Sequence, residues 1–202
     1  MSDLRDKYEE KFNAPYALVK PNEYWDRYYK KGEDFFYERL VYSIDFLYGE
    51  VLDVGAADGF STHLIIQKPN VKNVIGLEIQ DKSIVKFREN LASFTNVKVV
   101  KGIGEEIPFP DNSFDCVHCG ATLEHVLDDQ KTISEIARVT RDIAVFRVPL
   151  GGGISPEHVR EYEESGLRAI LVPFFRIADD RIFIRDNGVK SIVIVCKKLK
   201  NE

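Results

Sequence analysis

No run in this 202-residue chain approaches the ~20 consecutive apolar residues of a membrane-spanning helix, so no transmembrane span is expected. The opening residues, Met1 to Glu10, are charged and lack the apolar core of a secretory leader; the expected location is cytoplasmic. Cysteine is scarce. Cys116, Cys119 and Cys196 are an odd three, which makes no disulfide framework, and the one C-x-x-C straddles the end of an apolar run. Reduced, buried thiols are the expectation, and no metal is expected. Excess basic charge is missing too. Lys and Arg number 28 against 33 Asp and Glu, a formal net charge of -5, so the electrostatic footprint of a nucleic-acid binder is absent and such a partner is disfavoured. Internal repeats and linkers are also lacking, and the length fits one domain with a substantial core.

What is present centres on Val51-Leu52-Asp53-Val54-Gly55-Ala56-Ala57-Asp58-Gly59-Phe60-Ser61-Thr62-His63-Leu64. The apolar start reads as a buried parallel strand, the small residues as a tight turn, and Ser61 to Gln67 as a short helix closed by Pro69. Gly55 and Gly59 have no Cβ and Ala56 and Ala57 little more, so bare backbone can approach a ligand there, and the helix start offers N–H groups to a negative charge. Roughly twenty residues on, Val74-Ile75-Gly76-Leu77 ends in Glu78, where a nucleoside-binding α/β fold places an acid for ribose hydroxyls. A nicotinamide dehydrogenase would need G-x-G-x-x-G, which the alternating Gly55, Ala57 and Gly59 do not supply.

Along the rest of the chain, Tyr24, Trp25, Tyr28 and Tyr29 fall at helical spacing after Asn22, and Phe36, Leu40, Ile44 and Leu47 mark a second amphipathic helix. Ile84, Phe87 and Leu91 give a helix begun at Asp81 or Ser83. Strands are expected at Val97 to Val100, Asp115 to His118, and Ile143 to Val148, the last stopped by Pro149, with a helix at Ile133 to Ala137 between the second and third of these. Strands separated by helices imply a parallel sheet with right-handed crossovers and ligands at the strands' carboxyl ends. Ala169 to Ile177 and Arg181 to Arg185 read as strand-like, and Asn187-Gly188 before Val189 to Cys196 signals a hairpin.

The Asp53-to-Gly59 pattern resembles the first motif of class I S-adenosylmethionine-dependent methyltransferases, and Glu78 their second. Lys101-Gly102-Ile103-Gly104-Glu105-Glu106-Ile107-Pro108-Phe109-Pro110-Asp111-Asn112-Ser113-Phe114-Asp115 resembles the third and fourth motifs of the small-molecule branch, and Leu123-Glu124-His125-Val126 the segment after strand four. The resemblance covers roughly residues 50 to 150. It implies a Rossmann-like three-layer α/β/α sandwich, with a mostly parallel seven-stranded sheet of order 3-2-1-4-5-7-6 and an antiparallel C-terminal hairpin. Residues 1–202 would form one domain: a helical cap over 1–48, a cofactor-binding core over 49–150, and an acceptor-side loop with the closing hairpin over 151–202.

The same resemblance implies S-adenosylmethionine as cofactor and methyl transfer to a small-molecule or sugar-like acceptor; the alternative is a non-catalytic S-adenosylmethionine-binding or regulatory module. Glu78 would take the ribose hydroxyls and Ile79 an adenine face. Asp53 would stand near the ammonium end, unless it only caps the turn, with Gly55 and Ala56 facing the amino-acid portion and Ala57 to Gly59 admitting it closely. Ile103 stands where relatives often have Asp, so Glu105, or backbone at Gly104 and Glu105, would read the adenine edge; Cys119 and Gly120 would border the sulfonium. The catalytic candidates are His158, His125 and Glu124, with His118 a further titratable group. His158 lies in Gly151-Gly152-Gly153-Ile154-Ser155-Pro156-Glu157-His158, where three glycines permit a mobile loop. The Tyr and Trp cluster either packs a helix onto the sheet or forms part of a lid. Thr140-Arg141-Asp142 replaces the family's usual Pro-Gly-Gly turn and is expected to alter a loop, and no clear helix is visible before strand six. Self-association is left open.

Overall fold

The computed structural model describes residues 35–151 and 158–199. The cluster of Tyr24, Trp25, Tyr28 and Tyr29, and the loop residues from Gly152 to Glu157, lie outside the described residues. The elements in chain order are α1 (Phe35–Ile44), β1 (Gly49–Val54), α2 (Phe60–Ile66), β2 (Val71–Glu78), α3 (Asp81–Asn90), β3 (Val97–Lys101), β4 (Phe114–Gly120), α4 (Asp129–Val139), β5 (Thr140–Leu150), α5 (Glu164–Leu171), β6 (Phe175–Ile184) and β7 (Lys190–Lys198).

The seven strands make one sheet of order β3-β2-β1-β4-β5-β7-β6. β1 to β5 pair in parallel, and β7 runs antiparallel between β5 and β6. This is the expected Rossmann-like arrangement. Alternation along each strand divides the core into two faces. Leu52, Val54, Val117, Ala144, Phe146, Ile192 and Ile194 point to one face and meet Ile133 and Ile136 of α4 and Leu167 and Leu171 of α5. Val51, Val74, Cys116, Val145, Val193 and Val195 point to the other and meet Leu40 and Ile44 of α1 and Leu64 and Ile65 of α2. Ile84, Phe87 and Leu91 bury the inner side of α3 as their spacing predicts, and Phe87 and Leu91 pack with Ala56.

Three expectations need correction. Ala169 to Leu171 is not strand but the end of α5, which the spacing of Leu167, Ile170 and Leu171 and the Glu164–Arg168 pair could have announced. The expected turn at Thr140-Arg141-Asp142 is instead the start of β5. Without Pro or Gly the chain passes straight from α4 into the strand, and Thr140 Oγ1 closes the helix by donating to Ile136 O at 2.6 Å. Pro149 does not stop β5 either. β4 has already ended opposite Arg147, so on that side Pro149 has no partner strand, and its missing N–H breaks no ladder bond.

The closing hairpin turns where Asn187-Gly188 predicted. Gly188 takes φ +83, its N–H donates to Arg185 O, and Arg185 N–H donates to Val189 O. A parallel sheet binds at the carboxyl ends of its strands. An open recess of about 520 Å³ lined by Asp45, Tyr48, Asn70, Lys72 and Asp115 lies at the opposite, amino-terminal ends of β1 and β4.

Candidate functional site

The tip of β1 is built from left-handed backbone. Gly55 has φ +73, Ala57 φ +48 and Gly59 φ +89, and the reversal so made delivers the chain into α2. Space selects glycine at Gly55 as strongly as conformation does: a Cβ there would lie 2.3 Å from Thr122 Oγ1. Gly55 N–H and Ala56 N–H both donate to Leu77 O, which fastens the turn to the end of β2. Ala56 and Gly59 are buried, whereas Ala57 is exposed at the crest.

Glu78 closes the same tip from below. Its Oε2 accepts from Ala57 N–H at 2.9 Å, and its Oε1 accepts from Ile79 N–H at 2.9 Å and Gln80 N–H at 2.8 Å. Burial pushes its carboxyl above the usual range, and the three N–H donors pull the other way. A carboxylate offers about four lone-pair sites, so three donors leave acceptor capacity for a hydroxyl. Ile79, beside it, is half-buried.

Asp53 sits deeper than expected. It is buried, and its oxygens accept from Thr62 Oγ1 at 2.7 Å and meet His118 Nδ1 at 2.8 Å. His118 is fully enclosed, with Nε2 3.2 Å from Ser43 Oγ, so the structure does not bring it to the mouth of the cleft. Ile103, Gly104 and Glu105 are buried as well. Glu105 Oε1 accepts from Leu127 N–H at 3.0 Å and Asp128 N–H at 3.1 Å, which ties the loop after β3 to the loop after β4. The Cys119 side chain lies in the core, where burial pushes its thiol far up, beyond Cys116 and Cys196 at about 12. None of the three is the reactive thiol that a low value would mark.

After β4 the chain turns at Ala121, φ +56, and His125 N–H donates to Thr122 O. The returning segment after β5 docks on this turn. Val159 N–H donates to Glu124 O at 2.9 Å, and the Arg160 guanidinium donates to the carbonyls of Leu123, Val126 and Leu127. Tyr162 OH donates to Asp129 Oδ2 at 2.8 Å. Arg160 was not singled out in the sequence, since an arginine in a loop carries no signal of the carbonyls it will meet.

This docking brings the three catalytic candidates together. One donor atom from each of Glu124, His125 and His158 lies within 4.8 Å of the others, and the two imidazoles meet edge to face with centroids 4.9 Å apart. The histidines are half-buried and Glu124 is buried, its Oε2 without a hydrogen-bond partner among the described residues. Burial pushes the Glu124 carboxyl up to about 7, against the pull of Arg147 and Arg39. Such a group gains or loses a proton near neutrality.

Comparison with known proteins bears on this tip and its flanks. Residues 52–147 match the family described as Methyltransferase domain. An uncharacterized methyltransferase, YcgJ, of Bacillus subtilis is 34% identical over 99 residues, 48% of this chain and 38% of its own length. A probable S-adenosylmethionine-dependent methyltransferase of Mycolicibacterium smegmatis is 28% identical over 156 residues, 72% of this chain and 58% of its own. A ubiquinone/menaquinone biosynthesis C-methyltransferase of Legionella pneumophila is 30% identical over 115 residues, 52% of this chain and 46% of its own. The chain thus spans less than two thirds of each of these relatives. The crystal structure of YcgJ superposes with a TM-score of 0.68 at 20% identity, covering 81% of this chain and 99% of that one, and shares the fold.

Proposed function

We propose, on the match of residues 52–147 to the family described as Methyltransferase domain, that this chain is a class I S-adenosylmethionine-dependent methyltransferase and transfers the methyl group of S-adenosylmethionine to a small-molecule or sugar-like acceptor. The observation that carries the reading is the junction of the Gly55-to-Gly59 turn with the Glu78 carboxylate, where side-chain-free backbone and an acid stand side by side. Bound there, the cofactor supplies a methyl on a sulfonium, a leaving group already activated. Glu78 uses its remaining acceptor capacity on the ribose, and half-buried Ile79 lies against the base. Gly55 and Ala56 face the amino-acid portion, with Ala57 to Gly59 close beside it. Asp53 acts through the turn: both its oxygens are engaged by Thr62 and His118, so it holds α2 beneath the ligand instead of touching it. With Glu105 turned to the backbone of Leu127 and Asp128, backbone at Ile103 and Gly104 reads the adenine edge. The Cys119 carbonyl borders the sulfonium.

Methyl transfer asks mainly that the acceptor be held in line, and a hydroxyl acceptor must also lose its proton. Glu124, His125 and His158, at the ends of β4 and β5, are the groups that handle that proton. The Legionella relative, named for a quinone pathway, supports a small organic acceptor. The chain works as one domain, α1 covering the core of 49–150 and residues 158–199 forming the acceptor wall.

Titration of the purified full chain with S-adenosylmethionine tests the reading: saturable binding is expected, and its absence with Glu78 intact ends it. Formation of S-adenosylhomocysteine with an acceptor separates an enzyme from a non-catalytic binding module. His158→Ala should lower turnover far more than cofactor affinity; unchanged turnover with the true acceptor removes His158 from the mechanism.

A further inference from the structure

We propose that Glu124, His125 and His158 form a binding site for a divalent first-row transition cation of the zinc type, placed on the acceptor side of the cleft. The sequence marks these three only as proton-handling candidates with no metal expected, because His125 and His158 stand 33 positions apart and only the docking of the second segment on the first unites them. Two imidazoles and one carboxylate are a donor set that suits zinc, iron(II), cobalt(II) or nickel(II), whereas magnesium and calcium prefer oxygen alone.

The geometry fits with small rotations. Bonds of about 2.0–2.2 Å to nitrogen and carboxylate oxygen hold donors about 3–3.5 Å apart in a tetrahedral site, and the three donor atoms already stand within 4.8 Å of one another. A second observation points the same way. Glu124 Oε2 is buried and has no hydrogen-bond partner among the described residues. A desolvated carboxylate oxygen in that state is costly, and a cation beside it would offset the cost.

The backbone around the three is held firmly. His125 N–H to Thr122 O shapes the turn, Val159 N–H to Glu124 O fixes His158 beside it, and Arg160 fastens the second segment to three carbonyls of the first. Arg147 and Arg39 act on Glu124 electrostatically and oppose a further positive charge, so the site binds more weakly than the same donors would alone. Three protein donors leave a coordination position open, the arrangement of catalytic rather than structural metal sites. On the methyl-transfer reading, on which this last step rests, an acceptor oxygen takes that position. The cation lowers the oxygen's pKa so that its proton passes to water, the three residues then serving as ligands in place of proton acceptors; the oxygen–methyl bond forms as the methyl–sulfur bond breaks and S-adenosylhomocysteine leaves.

The test uses the full chain freed of metal by a chelator and dialysed. Titration with cobalt(II) should raise a saturating visible absorption band at one ion per chain, which zinc(II) displaces. Glu124→Gln and His158→Asn should each weaken cobalt(II) binding by at least about tenfold, with circular dichroism unchanged and cofactor affinity retained. The inference is overturned if no saturable band appears, or if both variants bind cobalt(II) as the wild type does. Cofactor binding measured on the same samples keeps the two readings apart. Binding of S-adenosylmethionine without cobalt(II) sinks the metal site alone, and cobalt(II) binding without S-adenosylmethionine sinks the methyl-transfer reading while the ion site stands.

Discussion

Asp53 and His118, 65 residues apart in sequence, are direct register partners on β1 and β4, and their Oδ1 and Nδ1 atoms meet at 2.8 Å in the core. Both belong to the sheet face that α1 and α2 cover. The contact therefore extends into both helices, through Ser43 at one end and Thr62 at the other. Ser43 Oγ itself donates to Leu40 O at 2.7 Å, which ties this end of the contact to the backbone of α1.

Removing one member strands a buried polar partner. Asp53→Asn should cost about 2 kcal/mol of unfolding free energy, within the range for leaving a buried hydrogen-bonding group without its partner. Urea denaturation measures it, and a loss under about 1 kcal/mol would mean that the pair contributes little. Cofactor affinity should fall only as α2 loosens.

The turn at Gly55 makes a second, comparative prediction. Gly55→Ala combines an unfavourable φ of +73 with a Cβ 2.3 Å from Thr122 Oγ1, which itself donates to Val54 O. Gly188→Ala has a similar φ of +83 but nothing within 4 Å. Strain alone should cost the hairpin variant about 1 kcal/mol, whereas Gly55→Ala should lose markedly more and weaken S-adenosylmethionine binding. Equal midpoints in thermal unfolding would contradict this.

Arg160 holds the acceptor-side segment in place. Arg160→Ala frees the carbonyls of Leu123, Val126 and Leu127 at once. Exchange of the Val159 amide should accelerate, since that N–H bridges to Glu124 O, while amides of β1 and β4 keep their protection. Uniform acceleration would show that Arg160 stabilises the whole fold instead.

Two carboxylates should imprint opposite slopes on the pH profile of stability. The Arg138 guanidinium beside Glu135 holds its carboxyl below the usual range, with Ile107 N–H adding to the effect. Its folded pKa is lowered, so its contribution is present above the unfolded value and is lost as pH falls through the folded one. Glu78 is raised by burial. Its folded state holds the proton more tightly, so stability declines as pH climbs from the unfolded value through the folded one. Glu135→Gln should therefore destabilise by about 1 kcal/mol near neutrality and hardly at all at about pH 3. Glu78→Gln should flatten the decline above the unfolded value. Thermal midpoints across pH check both.

Much of the fold was legible because local pattern and tertiary demand agree here. Leu40, Ile44, Ile84, Phe87 and Leu91 all bury the faces that their spacing marks, and Asn187-Gly188 turns the hairpin. α5 was missed because its apolar residues run on into β6 through Val172 and Phe174, where a helix end and a strand start look alike. Pro149 misled because the sequence does not say which strand edges are paired at each point.

At the site, local patterning specifies which residue types stand at the tips of β1 and β2. Glycine turns and a strand-end acid are short-range features, set within a few residues by backbone sterics and spacing. What those groups are free to do follows from the packed fold. It turned Asp53 and His118 inward on each other, set Glu78 under three N–H donors and Glu105 against Leu127 and Asp128, and gathered Glu124, His125 and His158 from two segments. Hydrogen bonds and donor clusters depend on distances between residues far apart in the chain. Those distances exist only once strand order and register are fixed.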